Sequence, residues 1–235
     1  MTLSAACPRF NPALVLFVGM LAVSSGAIFV RLSEAPSLVT AAWRLTFATL
    51  LLLPHARWKA RGELRRLSRR ELGLGGLAGF FLALHFATWI SSLQFTSVAS
   101  STVLVNITPV WVALMTPWLT RDHVSPRAGL GITASVAGGV VIGLGDFAGG
   151  TRTLLDDGLA LAGSLALAMY LLSGRILRAK LSLPAYLTVC YSSATGLLWG
   201  CVLVEGLTSL RSSRFLRTSG WNGPRERNRL GACIP

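Results

Sequence analysis

Apolar stretches free of Asp, Glu, Lys and Arg dominate the chain, and short basic segments separate them. Such a stretch needs about 17 to 25 residues to cross a hydrocarbon core of about 30 Å as a helix. The stretch 72–120 has room for two helices joined by a tight turn near 94–97. Seven spans are therefore predicted, and the other five lie at 12–30, 37–54, 128–145, 158–174 and 181–204; one charged residue, Arg44, interrupts the span 37–54.

Helices rather than strands follow from the same pattern. Strands of a membrane barrel alternate polar and apolar residues over about ten positions, whereas these stretches are apolar on every face. The composition, 52% hydrophobic and 13% charged, differs from that of soluble domains, which are about 25% charged. We therefore predict an all-α polytopic membrane protein. A cleaved signal peptide at 12–30 is the alternative, although its apolar run exceeds the roughly 7 to 15 residues of a signal core.

Most of the net charge of +13 lies between the predicted spans. If the helices alternate in direction, thirteen Lys and Arg residues fall on one side of the membrane, against Arg31 and Arg152 on the other. Because basic loops stay in the cytoplasm, we predict that residues 1–11 are a cytoplasmic N-terminus. The protein itself is predicted to lie in the cytoplasmic membrane. No nucleic-acid partner is expected, since the basic segments lack the interleaved aromatic residues for base stacking, and Trp58 alone is present.

A weak internal repeat relates two parts of the chain. A shift of 148 residues pairs Pro36 with Pro184 and Thr40 with Thr188. A repeat that begins again at the sixth span has five helices, and an odd number inverts the second copy. Inverted repeats build many secondary transporters, with the site between the copies near the midplane. The predicted divisions are a five-helix repeat (12–145), an external loop (146–157) and a partial second repeat of two helices (158–207).

Residues 208–235 form a basic segment with six arginines and one glutamate. This segment lacks apolar periodicity and is predicted to be disordered. After seven spans it would lie outside the cell, against the tendency of basic segments to remain in the cytoplasm. Either the seventh helix does not span the membrane or the end of the chain is truncated or frameshifted, and our hypothesis is the second, because the seventh stretch is long enough to span.

Three segments resemble a known family in their order and spacing. They are "AAWRLTFATLLLLP", "ALHFATWISSLQFTSVASSTVLVNITPVWVALMTPWL" and, after an acidic residue, "GLGITASVAGGVVIGLG". Together they resemble the EamA-type repeat of the drug/metabolite transporter superfamily over 12–145, and more loosely over 158–205. The resemblance implies a carrier of ten helices in two inverted five-helix repeats, with both termini cytoplasmic. This chain departs from that pattern in its seven predicted spans and in having Asp122 where the family usually has Glu.

Arg44 is a charged residue inside a predicted span. A charge costs at least about 2.5 to 3.5 kcal/mol at the centre of a membrane helix, so it is expected to face a cavity or a partner. Two interpretations stay open. Either Arg44 reaches the interface or pairs with Glu34, or it lines a transport path and attracts anions.

The third span carries His85, Trp89 and Ser92 at i, i+4 and i+7, a spacing that places them on one helix face. A histidine that faces a cavity could bind or relay a proton, since imidazole titrates near neutral pH. The structural alternative for His85 is a hydrogen bond between helices.

The fourth span has a polar stripe of Thr102, Asn106 and Pro109 at the same spacing. Pro109 cannot donate to the carbonyl of Val105, which leaves an acceptor free. Broken backbone at membrane depth is tolerated where it is buried or lines water. Asn106 and the free carbonyl are therefore predicted to face a solute cavity, or alternatively to hold helices together.

The last span places Thr188, Ser192, Thr195 and Trp199 on one face. This face is predicted to form the side of the solute cavity that the second repeat contributes. Pairs of glycines at G-x-x-x-G spacing, at 75 and 79 and at 139 and 143, are predicted to allow close helix packing. The predicted solute-binding residues are Arg44, His85, Trp89, Thr102, Asn106 and Ser192.

These features predict a secondary transporter, an exporter or permease, that moves a small organic metabolite or drug by alternating access. Its partners would be the solute and the lipid bilayer, with protons as a candidate coupling ion and a homodimer left open. No metal or other cofactor is expected, because the histidines and cysteines are scattered. Enzymatic activity is not expected, since the spans lack paired carboxylates or a Ser/His pair. The alternative is a non-transporting membrane subunit or an inactive fragment of such a carrier.

Overall fold

The computed structural model describes residues 11–33, 35–95, 97–119, 125–146 and 151–218. These residues form helices and connections, with no strand among them. The helices are α1 (Pro12–Leu32), α2 (Ser37–Lys59), α3 (Arg61–Leu64), α4 (Arg69–Phe95), α5 (Val98–Val105), α6 (Thr108–Leu119), α7 (Pro126–Asp146), α8 (Thr151–Arg178) and α9 (Leu183–Thr218). The chain is therefore an all-α polytopic membrane protein, as predicted.

Six segments of the described residues are long and apolar enough to cross a membrane. They are Ala13–Val30, Ser37–Lys59, Arg69–Gln94, Ser100–Leu119, Asp157–Arg178 and Leu183–Gly206. The remaining predicted span, 128–145, coincides with α7, whose side chains are described as far as Val141. A seventh crossing at α7 thus stays a prediction.

The start and end of α4 follow from the sequence. At its start, the Ser68 backbone N–H donates to the Glu71 carboxylate at 2.9 Å, and the Glu71 N–H donates to the Ser68 hydroxyl at 3.2 Å. This reciprocal capping box satisfies two N–H groups that the first helical turn leaves free. At its end, α4 stops at Phe95 and α5 begins at Val98, which confirms the predicted turn near 94–97.

Helix α4 lies at the centre of the bundle and packs against α8 and α9, while α2 also packs against α9. A Cβ atom on Gly75 would lie 2.6 Å from Val189 Cγ1, and one on Gly79 would lie 2.6 Å from the Cys190 carbonyl oxygen. The absence of side chains therefore lets α4 and α9 approach closely, as the G-x-x-x-G spacing predicts.

The connections of the bundle gather at two ends. At one end, the Glu63 carboxylate accepts a hydrogen bond from the Ser182 backbone N–H at 2.7 Å, so α3 meets the start of α9. At the other end, Gln94 Nε2 donates to the Ala35 carbonyl at 3.4 Å. The segments 57–70 and 175–182, which we call the basic end, therefore lie together. The sequence predicts this clustering from charge alone.

The contact between Glu63 and Ser182 leads to a stability prediction. We expect Glu63→Ala to lower the free energy of unfolding by about 1 kcal/mol, because the first turn of α9 loses a carboxylate acceptor. The matched control is Arg61→Ala, an exposed change in the same short helix. Thermal unfolding in detergent micelles measures both variants, and equal midpoints would show that the contact contributes nothing.

Two helices extend beyond their predicted limits. Helix α8 begins at Thr151, inside the segment 146–157 that we predicted to be an external loop. Helix α9 continues to Thr218, so 208–218 is helical although we predicted disorder there, and 219–235 lies outside the described residues. Neither Gly nor Pro occurs from 207 to 218, so the sequence offers no residue that would end α9 earlier.

Candidate functional site

The guanidinium of Arg44 is half-buried and lies beside aromatic rings of α4. Its Cζ is 5.1 Å from the ring centroid of Phe86 and 5.5 Å from that of Trp89, both on α4. Gly26 of α1 passes beside it, and a Cβ there would lie 3.3 Å from Arg44 Nη1. We call Arg44, His85, Phe86 and Trp89 the Arg44 cluster.

The ring contacts offset much of the cost of this charge. Each of the two cation–π contacts contributes about 0.5 to 2 kcal/mol, and a charge at the centre of a span costs at least about 2.5 to 3.5 kcal/mol. Among hydrogen bonds between the described residues, none is donated by the guanidinium. One of the two interpretations of Arg44 pairs it with Glu34, and Glu34 lies outside the described residues.

His85 is buried and tied to α8. Its Nδ1 lies 2.9 Å from the carbonyl oxygen of Gly163, and because a carbonyl only accepts, Nδ1 carries the proton in this contact. The His85 ring stacks on Trp89 with centroids 5.8 Å apart and planes 7° from parallel. This contact is the hydrogen bond between helices that we gave as the structural alternative for His85. The other ring nitrogen, Nε2, stays available to bind a proton.

Trp89 is 6% exposed, and its Nε1–H has no hydrogen-bond partner among the described residues. Three residues further along α4, the Ser92 hydroxyl lies 2.6 Å from that of Ser101 on α5 and donates to the Trp89 carbonyl at 2.8 Å. The neighbouring Thr102 hydroxyl is buried and likewise without a partner in the described chain. Thr102 therefore directly follows, along α5, the residue whose hydroxyl joins α5 to α4.

The fourth span is broken where its polar stripe lies. Helix α5 ends at Val105 and α6 begins at Thr108, so Asn106 lies in the connection and is exposed. The carbonyl of Val105, predicted to be free for a solute, instead accepts a hydrogen bond from the Thr108 hydroxyl at 2.6 Å. That part of the prediction is wrong, because a hydroxyl three residues away satisfies the acceptor that Pro109 leaves.

The polar face of α9 points at α2. The Thr195 and Thr49 hydroxyls are 3.0 Å apart, and Trp199 Nε1 donates to the Thr46 hydroxyl at 2.9 Å. Ser192 is exposed on the same helix. This polar seam between α2 and α9 uses Thr46 and Thr49, which no motif in the sequence indicates.

The structure thus brings together three predicted residues, Arg44, His85 and Trp89, and adds Phe86 and the backbone of Gly163. Among the described residues, neither the Asn106 nor the Ser192 side chain hydrogen-bonds to the Arg44 cluster, and both side chains are exposed. Phe86 was missed because no spacing within α4 indicates which residue meets a side chain from α2.

Two cavities lie away from the Arg44 cluster. One, of about 410 Å³, lies between α8 and α9 and includes Tyr170 and Tyr186. The other, of about 680 Å³, is a groove between α6, α7 and α8 that includes Thr108 and Arg175. Neither is lined by the cluster, which is packed between α1, α2, α4 and the Gly163 turn of α8. Among the described side chains, no three His, Cys, Asp or Glu come together as metal ligands.

Residues 11–144 match the EamA-like transporter family, which is more than half of the 235-residue chain. The chain belongs to the EamA-like transporter family. It is also 29% identical over 167 residues to an uncharacterized transporter of Archaeoglobus fulgidus, which covers 68% of this chain and 56% of that protein. The chain therefore spans just over half the length of that relative. No solved structure matches the chain.

The EamA match covers α1 to α6 and nearly all of α7. Arg44, His85, Trp89, Thr102 and Asn106 lie inside the family domain, and Ser192 on α9 lies beyond it. The Arg44 cluster is therefore built within the EamA segment, apart from the backbone carbonyl that Gly163 contributes.

Proposed function

We propose that this EamA-family chain moves a small organic solute across the cytoplasmic membrane by alternating access around the Arg44 cluster. The observation that carries the proposal is the position of the half-buried Arg44 guanidinium over the ring of buried Trp89, whose Nε1–H has no hydrogen-bond partner among the described residues. Buried donors are normally satisfied, so an unsatisfied Trp89 N–H beside a cation between two membrane helices indicates a place for a ligand.

The charge distribution supports an orientation. The basic end combines segments that follow α2 and α8, and a hydrogen bond between Glu63 and Ser182 joins them. We propose that this end faces the cytoplasm, since Lys and Arg are retained there. The N-terminus, before α1, would then be cytoplasmic.

Matching helix starts support an inverted second repeat that begins at α8. The Thr40 hydroxyl donates to the Pro36 carbonyl at 3.2 Å at the start of α2, and Thr188 donates to Pro184 at 2.7 Å at the start of α9. The two helices start at opposite ends of the bundle, as an inverted copy requires. The same shift of 148 residues relates both pairs.

The proposal also assigns roles to the other predicted residues. Thr102, Asn106 and Ser192 would line the solute cavity with polar groups when the site opens. His85 would bind the protons that serve as the coupling ion. Transport would run as export or as permease exchange, and the chain would act alone or as a homodimer.

Counterflow in proteoliposomes tests the proposed function. Radiolabelled benzoate, leucine and tetraphenylphosphonium cover three charge classes, and we expect at least one to exchange faster than in protein-free liposomes. Trp89→Ala should lower that rate at least tenfold, because the site loses a ring and a donor. The matched control, Leu51→Ala, removes an 82% exposed side chain on α2 and should leave the rate unchanged.

Two outcomes would contradict this proposal. Equal rates for Trp89→Ala and Leu51→Ala would show that the solute does not use the Arg44 cluster. No exchange of any probe would favour a non-transporting subunit.

A further inference from the structure

The Arg44 cluster contains donors in excess of acceptors. The guanidinium has five N–H donors, and none of them donates a hydrogen bond to another described residue. The faces of Phe86 and Trp89 attract a cation but do not offer the lone pairs that these donors require. Trp89 Nε1–H adds a further unsatisfied donor to the same cluster. A ligand that fits here must supply acceptor atoms.

Resting on the proposed transport function, we propose that the Arg44 cluster recognises the carboxylate of a monoanionic organic acid. A guanidinium binds a carboxylate through two parallel hydrogen bonds, a geometry that a neutral amide or a cation cannot reproduce. The aromatic side chains around Arg44 provide an apolar surface for the body of such a ligand.

The number of charges selects a monoanion. In the central part of α2 and α4, where the cluster lies, Arg44 is the lone charged side chain. One carboxylate neutralises it, whereas a second negative charge would stay uncompensated at membrane depth, where isolated charges are costly. Dianions such as phosphate monoesters are therefore disfavoured.

Binding of three planar probes to the full chain in lipid nanodiscs tests the carboxylate preference. Benzoate, benzamide and benzamidine share one shape and differ in charge. We expect isothermal titration calorimetry to show that benzoate binds at least tenfold more tightly than the other two. Similar affinities for all three, or no binding of any, would overturn the inference.

Substitutions test whether the Arg44 guanidinium causes the preference for benzoate. Arg44→Gln should abolish the preference for benzoate, and Arg44→Lys, which keeps the charge without the planar fork, should weaken benzoate binding several-fold. Arg57→Gln, a change of an exposed arginine in the last turn of α2, is the matched control and should have no effect. Should Arg44→Gln fail to fold, Trp89→Phe removes one donor and keeps a ring, and it should weaken benzoate alone. An unchanged preference for benzoate in these variants would overturn the inference.

Counterflow separates this inference from the proposed function. Exchange of leucine or tetraphenylphosphonium together with equal affinity for the three planar probes would retain transport and overturn carboxylate recognition. Arg44-dependent benzoate binding without exchange of any solute would retain recognition and overturn transport.

Discussion

Replacing Gly79 by alanine is expected to destabilise the bundle strongly. The new Cβ would lie 2.6 Å from the Cys190 carbonyl oxygen, 2.7 Å from Ser193 Cβ and 3.1 Å from the Ala194 nitrogen. Two of these atoms belong to the α9 backbone and cannot rotate away, so α4 and α9 must separate. Overpacking typically costs about 1 to 3 kcal/mol, and we expect the upper part of that range. The measurement is the midpoint of thermal unfolding in detergent micelles.

Gly76→Ala is the matched control. It makes the same chemical change on the same helix, but no atom lies within 4 Å of its new Cβ. Since alanine is favoured over glycine inside a helix by about 1 kcal/mol, this variant should be neutral or slightly more stable. Opposite signs for Gly79 and Gly76 would assign the cost to the α4–α9 contact. A loss of stability at both positions would contradict it.

Gly75→Ala should fall between these two variants. Its Cβ would lie 2.6 Å from Val189 Cγ1, which is a side-chain atom that can move to another rotamer. The loss of stability should therefore increase in the order Gly76, Gly75, Gly79. The new Cβ meets empty space at the first position, a side chain at the second and backbone at the third.

The helices could be predicted from the sequence because the membrane constrains them strongly. Every backbone polar group in lipid must be satisfied within its own segment, so an apolar stretch of sufficient length specifies a helix. The turn between α4 and α5 was located correctly on that basis. The far end of α9 was not, because 208–218 combines a basic, non-periodic sequence with an absence of helix-ending residues.

Contacts within one helix were also predictable, whereas contacts between helices were not. His85 and Trp89 stack as their i, i+4 spacing indicates. Arg44 meets Phe86 and Trp89 through the relative rotation of α2 and α4, and a single sequence does not encode that rotation in any local pattern. The pairing of Thr46 with Trp199 was unpredictable for the same reason.

The free carbonyl of Val105 shows why a local rule gave a wrong result. Proline does remove a helical N–H, as predicted, but threonine side chains hydrogen-bond to carbonyls three or four residues earlier. Thr108 lies immediately before Pro109 and occupies the acceptor. Considering the two residues together would have predicted a satisfied carbonyl and a local break in the helix.

His85→Ala is expected to have the second large effect. The substitution removes a buried ring that stacks on Trp89 and a donor to the Gly163 carbonyl. Cavity formation in a packed interior costs about 2 to 5 kcal/mol for large side chains, whereas an interhelical hydrogen bond in a membrane contributes about 0.6 kcal/mol. Most of the destabilisation should therefore come from lost packing, and thermal unfolding should show a lower midpoint.

His85→Asn separates the structural role of the side chain from proton coupling. The asparagine amide N–H lies close to the position of Nδ1, so it keeps a donor for Gly163, but it cannot bind a proton at the Nε2 position. We expect this variant to be more stable than His85→Ala and to retain counterflow exchange while losing acceleration by a pH gradient. Flux measured in proteoliposomes with and without an imposed gradient checks this result. If His85→Asn still responds to the gradient like the unsubstituted chain, His85 does not carry the coupling proton and serves only to join α4 to α8.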